Sequence, residues 1–216
     1  MTAFVLVHSP LVGPYTWQPV AEVLRRRGFP VQGVPSGFPD RPPYHAKLVE
    51  AARSVRGDVV VGHSGAGALL PAIAQHGDRG MVFVDAVLPR PGRSWFETAP
   101  PALGEQLLGL AREGWLPPWH EWFPREAFED LPPRLRDRFF AEVPRLPLAF
   151  FEEPAPAAPE SRSAYVRLSE TYDLFADEAA RRGWPVYREN ADHLAMLTQP
   201  DRIADVVVRA VESVLP

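Results

Sequence analysis

The chain has 216 residues, long enough for one good-sized α/β domain or for a core that carries an insertion. Hydrophobic residues at 46% and a net charge of −4 place it among ordinary globular proteins and give no footprint for nucleic acid. With no cysteine, disulfides, thiolate-bound zinc and thiol catalysis are excluded.

Phe4-Val5-Leu6-Val7 is a continuous apolar run, the pattern of a strand buried on both faces of a parallel sheet. The residues around it lack a basic n-region, a long apolar segment and a cleavage site, so a cytoplasmic protein is expected. No apolar run reaches bilayer-spanning length, and no membrane association is expected. The loop His8–Tyr15 leads to a helix over about 17–27, whose closing cluster Arg25, Arg26 and Arg27 suits the helix dipole. Val31–Val34 is a short strand, the Pro-rich loop 35–43 precedes a helix over about 46–55, and residues 58–61 form the next strand. A helix over about 66–76 and the strand Met81–Asp85 follow. Strands alternating with helices at this spacing predict a doubly wound parallel sheet.

The rhythm breaks over 91–160, which is rich in proline and aromatic residues; helices are expected near 103–113 and 133–143, and no strand. The sheet resumes at 165–168, followed by a helix over about 174–183, a last strand Pro185–Arg188 and a closing amphipathic helix Ile203–Val214. The expected organisation is a core of residues 1–90 and 161–216 with a helical lid, 91–160. The lid covers the carboxyl ends of the strands, where ligands bind in such sheets.

Function is written most clearly in Val-Val-Val-Gly-His-Ser-Gly-Ala-Gly-Ala-Leu-Leu, residues 59–70. A β-branched strand runs straight into Gly-x-Ser-x-small and then a helix, the form of a nucleophile elbow that holds Ser64 exposed on a strained turn. Gly62 and Ala66 are expected to be small because the turn brings their Cα atoms together. The Gly65 amide then faces any oxyanion formed beside Ser64. A serine nucleophile needs a base, and chain order in such a fold is Ser, acid, His. His193, after the last strand and before the last helix, satisfies that order. His63 is read as a packing or pocket residue, and His45, His76 and His120 as solvated. No metal cluster, phosphate loop or dinucleotide fingerprint is present, so no cofactor or metal is expected.

The pieces Phe-Val-Leu-Val-His-Ser-Pro-Leu-Val-Gly-Pro-Tyr-Thr-Trp (4–17), Gly-His-Ser-Gly-Ala-Gly (62–67), Val-Asp-Ala-Val-Leu-Pro (84–89), Ala-Tyr-Val-Arg-Leu-Ser (164–169) and Ala-Asp-His-Leu (191–194) resemble the α/β-hydrolase fold. The likeness is to its small methylesterase and hydroxynitrile-lyase-like group. The resemblance implies a minimal, mostly parallel sheet of about six strands with helices on both faces. It also implies two departures. The family's first strand is followed by His-Gly-x, whose last amide is an oxyanion donor, whereas this chain has His8-Ser9-Pro10 and proline has no N–H. The Ser9 hydroxyl, the Leu11 amide and the Tyr15 hydroxyl are the candidate substitutes, and lyase members carry a hydroxyl residue at the Ser9 position. The family acid aligns with Thr171. Asp173 is therefore ranked first to orient His193, then Glu170, then Asp85, whose alternative role is a buried structural carboxylate. Asp192 is read as a turn former, and Glu152 and Glu153 as solvated.

Within the lid, Trp119 and Trp122 either wall an apolar or aromatic substrate pocket or form the lid's own core. The leading functional expectation is a cofactor-free hydrolase of small esters or acyl compounds acting through Ser64 and His193. The alternatives are a lyase, isomerase or cyclase using the same pair for proton transfer, and a non-catalytic ligand-binding member. The expected partner is a small molecule, with oligomeric state left open.

Overall fold

A computed structural model of the chain describes residues 1–34, 37–74, 79–159 and 161–215. His76, the end of the helix expected to reach it, and the start of the 35–43 loop lie outside the described residues. The first half runs β1 (Phe4–Val7), α1 (Gln18–Arg26), β2 (Val31–Gly33), α2 (Tyr44–Arg53), β3 (Val59–His63), α3 (Leu70–Ala74) and β4 (Gly80–Val84). An inserted segment then holds α4 (Trp95–Thr98), α5 (Pro101–Leu110), β5 (Trp115–Leu116), α6 (Glu126–Glu129), α7 (Pro133–Phe140), β6 (Leu146–Pro147) and α8 (Leu148–Glu152). The sheet resumes with β7 (Ser163–Arg167), α9 (Asp173–Arg181), β8 (Val186–Arg188), α10 (Ala195–Thr198) and α11 (Pro200–Glu212).

Six strands form one parallel sheet in the order β2-β1-β3-β4-β7-β8. The central strands are apolar throughout because both of their faces are covered. Phe4, Leu6, Val59, Val61, Val82 and Val84 face one layer with Val20, Leu24, Ile203 and Val207 of α1 and α11. The intervening Val5, Val60, Met81 and Phe83 face the other, with Val49 of α2, Ile73 of α3 and Ala176 of α9. The arginine cluster closing α1 reaches its neighbours as well as its own dipole: Arg27 pairs with Asp205 of α11 at 2.6 Å. Arg25 donates to the Val31 carbonyl. The strand order reverses between β1 and β3, since β2 lies to one side of β1 and β3 to the other. That reversal opens the crevice in which such sheets bind ligands.

Two local expectations change. The helix expected from about residue 66 is split into a 3-10 turn over Ser64–Ala68 and then α3. Gly67 sets the packing there, because a Cβ on it would lie 2.0 Å from the Val87 carbonyl oxygen. The neighbour that keeps Gly62 small is Leu70, whose side chain would stand 2.7 Å from a Gly62 Cβ. In the insertion, β5 and β6 pair as an antiparallel ribbon where no strand was expected. Each is two residues long, too short to carry a period-2 signal.

The inserted segment packs onto the carboxyl-end loops in two aromatic clusters. Trp119, Phe128, Phe139 and Val143 enclose Val12, Tyr15 and Leu194 of the loops. Leu107, Leu116, Leu146, Phe150 and Phe151 enclose Tyr44 at the start of α2. Glu142 accepts the Tyr15 amide at 2.7 Å. Glu153, expected to be solvated, instead accepts the Tyr44 and His45 amides at 2.6 and 2.8 Å and so caps α2, whose Pro43 N-cap offers no side-chain acceptor. His45 is not solvated either: it stands edge-on to Phe150, and burial lowers its pKa despite the nearby Glu153. His120 lies flat on Phe140 at 4.0 Å, and burial lowers its pKa as well.

Two measurements check this packing. Gly67→Ala forces its new methyl against backbone and is expected to cost about 3 kcal/mol, read as a fall in the urea midpoint. Glu178 of α9 is gripped by Arg90, from the loop after β4, and by Arg182. The Arg90 hydrogen bond, aided by Arg182 and opposed by partial burial, lowers its carboxyl pKa to about 2 from 4.5. A depressed carboxylate stabilises the fold above its unfolded pKa and loses that contribution as pH falls through the folded one. Glu178→Gln is therefore expected to lower stability above about pH 5, with the gap to wild type closing as pH approaches 2. Urea midpoints across that range are the measurement.

Candidate active site

The carboxyl ends of β1, β3, β4, β7 and β8 deliver Ser9, Ser64, Asp85, Tyr172 and His193 to one place. Ser64 follows β3 directly with φ 55, a left-handed conformation that a serine adopts only where its surroundings impose it. Its carbonyl accepts the Val87 amide, which fastens the elbow to the loop after β4. Gly65, second in the turn, has no earlier intrahelical acceptor for its amide.

Asp85 also has a left-handed φ, 43, and is fully buried. Burying a carboxylate is costly unless donors surround it. Here Oδ1 accepts the Leu168 and Ser169 amides at 2.7 and 3.0 Å, while Oδ2 accepts the Ser169 hydroxyl at 2.6 Å and His193 Nδ1 at 2.9 Å. The loop beneath is braced by Tyr165, whose hydroxyl donates to the Ala86 carbonyl and accepts the Ala86 amide. Burial, with the Asp85 charge adding to it, raises the Tyr165 pKa and keeps that hydroxyl a donor.

His193 is held from three further sides. The buried His63 ring lies 4.4 Å away and its Nε2 donates to the His193 carbonyl at 3.0 Å. Burial first, and the neighbouring His193 ring next, push the His63 pKa well below its usual value, so it remains neutral. Trp119 of the insertion meets the His193 ring edge-on at 6.5 Å. Tyr172 lies parallel to it at 4.9 Å, with 4° between the ring planes, and its hydroxyl is 3.4 Å from Ser64 Oγ. Among the described residues no hydrogen bond joins Ser64 to the His193 ring; the Tyr172 hydroxyl is the contact Oγ makes.

The acid ranked first is displaced. Asp173 opens α9 with its carboxylate between Arg167 Nε at 2.8 Å and Arg188 Nη1 at 3.0 Å, and it has no hydrogen bond to His193 among the described residues. Glu170 is exposed and has no hydrogen bond to the ring among the described residues. The 3-10 turn Glu170–Tyr172 brings Tyr172 to the site in their stead. Asp85, ranked third, makes the contact.

On the oxyanion side, the Ser9 hydroxyl would stand 2.9 Å from a Gly65 Cβ, with Pro10 Cδ at 3.5 Å. Ser9 Oγ accepts the Leu11 amide at 3.3 Å, so that amide is engaged inside its own turn and the Ser9 proton remains to be donated. Tyr15 packs under Arg138 and within the Trp119 cluster. Trp122 joins the two insertion clusters and donates to the Pro117 carbonyl. Trp119 both builds the insertion's core and borders His193. Sequence reasoning assigned no role to Tyr172, Tyr165 or Ser169, although the last two lie in one of the motifs quoted for the resemblance. Among the described residues no group of three or more His, Asp or Glu side chains is placed to hold a metal ion, and no helix is long and apolar enough to cross a membrane.

Solved structures share this architecture over nearly their whole length. An extracellular alpha/beta-hydrolase from a Paenibacillus species superposes with a TM-score of 0.77 at 18% identity, covering 97% of this chain and 99% of that one. A variant of tomato methylketone synthase I complexed with beta-ketoheptanoate gives 0.74 at 17% identity, with 99% of both chains covered. A pyrethroid hydrolase from Sphingobium faniae JZ-2 gives 0.67 at 20% identity, with 98% of both covered. At these identities the likeness is one of fold. A search of curated proteins finds no match. Residues 4–206 match the alpha/beta hydrolase family, and the chain belongs to that family.

Proposed function

We propose that the protein is a cofactor-free serine hydrolase of small esters or related acyl compounds. Ser64 attacks the acyl carbon, His193 takes the Ser64 proton and returns it to the leaving group, and Asp85 orients the imidazole. The Asp85–His193 contact at 2.9 Å, set beside a serine at φ 55, carries this reading. A base whose Nδ1 faces a buried carboxylate presents Nε2 to the substrate. The Gly65 amide and the Ser9 hydroxyl are the oxyanion donors this reading requires. Ser9 fits because its own acceptor role is filled by Leu11. The segment 91–160 serves as a lid, and Trp119 beside His193 supports an apolar or aromatic small-molecule substrate.

Pro10 favours a second reading. With no amide at that position, the site is short of one strong donor, a loss worth about 10²–10³ in rate for acyl transfer. Proton-transfer chemistry by a lyase, isomerase or cyclase would tolerate that loss better. Mass spectrometry separates the two: an acyl adduct on Ser64, trapped during turnover, excludes the second reading.

A fluorophosphonate probe is expected to label wild type at Ser64 and not to label Ser64→Ala. Turnover of p-nitrophenyl acetate and butyrate is expected to disappear in Ser64→Ala and His193→Ala. If the probe fails and Ser64→Ala keeps its turnover, the hydrolase reading is wrong. Asp85→Asn is expected to lower kcat by about 10²–10⁴, whereas Asp173→Asn stays within about twofold of wild type.

A further inference from the structure

We infer that Tyr172 is a catalytic residue of this site, a hydrogen-bond donor to the leaving-group oxygen of the substrate. The inference rests on the serine-hydrolase reading above and adds a group to it. Three observations place the tyrosine. Its hydroxyl is the hydrogen-bond partner of Ser64 Oγ at 3.4 Å, its ring lies flat on His193, and it arrives from the end of β7. The sheet order β1-β3-β4-β7 sets that strand on the opposite flank of Ser64 from Ser9 and Pro10, which follow β1.

That flank decides the role. In the tetrahedral adduct on Ser64, the former carbonyl oxygen turns toward the Gly65 amide. The leaving oxygen must face His193, because it takes its proton from there. A hydroxyl stacked beside His193 and within reach of Oγ therefore stands next to the leaving oxygen. As the Ser64 Oγ–carbon bond forms, the Ser64 proton passes to His193. When the bond from carbon to the leaving oxygen breaks, that oxygen takes the same proton. Tyr172 donates a hydrogen bond throughout and keeps its own proton. Burial, reinforced by the Asp85 charge and opposed by the Ser64 contact, raises its pKa, so the phenol remains neutral and able to donate.

A donor in this position matters most where the leaving group is a poor one. The test is a series of phenyl acetates, from 4-nitro to 4-methyl, together with an alkyl ester. Tyr172→Phe keeps the stacked ring and removes the hydroxyl. It is expected to slow the 4-nitrophenyl ester a few-fold and the 4-methylphenyl and alkyl esters about 30-fold or more, steepening the dependence on leaving-group pKa. Equal losses across the series, or none, overturn the inference. Site-specific 3-fluorotyrosine at position 172, a stronger donor of nearly the same size, is expected to flatten the dependence below that of wild type; an unchanged slope overturns it too. Ser64→Ala, run beside these, identifies which idea has failed. If the series survives in Ser64→Ala, the serine reading falls and Tyr172 with it. If Ser64→Ala is inactive while Tyr172→Phe keeps the wild-type slope, Tyr172 alone is excluded. Fluorophosphonate labelling of Ser64 in Tyr172→Phe reports that the site is still assembled.

Discussion

The site is organised by one buried carboxylate. Asp85 has no exposure to water, and the described donors to its two oxygens come from elements far away in sequence. Two backbone amides and a hydroxyl come from the end of β7, and an imidazole N–H comes from the loop after β8. Those donors reach it only when β4, β7 and β8 lie side by side in register. The sheet therefore creates the environment that tolerates the charge, and the charge in turn fixes where the two loops end. Removing any one donor leaves part of a buried carboxylate unpaired, which costs more than the hydrogen bond itself contributes.

The same accounting explains which parts of the molecule were legible in sequence. β1, β3 and β4 read as strands because both of their faces are buried, which leaves no polar position to blur the pattern. The turn at Ser64 was legible because a left-handed serine needs small neighbours, and Gly62, Gly65 and Gly67 are written beside it. The partner of His193 was not legible in the same way. Asp173 and Asp85 are both carboxylates near strand ends, and what separates them is the company they keep. Arg167 and Arg188 claim Asp173, one from β7 and one from β8, and their convergence is a property of the sheet. Glu153 and His45 were misread for a related reason. An acid at the end of a helical segment resembles a solvated one until the amides at the start of α2, more than a hundred residues earlier, come to meet it.

The loop after β1 sets a hydroxyl beside a proline. Pro10 removes an amide from the flank of Gly65, and Ser9 is drawn against that glycine while accepting the Leu11 amide. On the hydrolase reading proposed above, a side-chain donor stands in for a backbone one. An amide is held rigidly by the main chain, whereas a hydroxyl must be aimed. Leu11 supplies part of that aim by fixing one side of the Ser9 oxygen. The Val12 amide, bonded to the Ser9 carbonyl, closes the turn around it.

The inserted segment is tied to the core at both of its clusters. Its two aromatic clusters are fastened to the core by carboxylates that accept backbone amides, Glu142 at Tyr15 and Glu153 at Tyr44. Trp119 of the same segment reaches the His193 ring, so the insertion borders the imidazole on one side while Tyr172 covers another. His63 holds the His193 carbonyl from beneath. Among the described residues Ser64 Oγ has its hydrogen-bond contact with Tyr172 and not with this imidazole. The Tyr172–Ser64 contact, at 3.4 Å, is a weak hydrogen bond. It is longer than any of the four hydrogen bonds that Asp85 accepts, so it is more easily broken than they are.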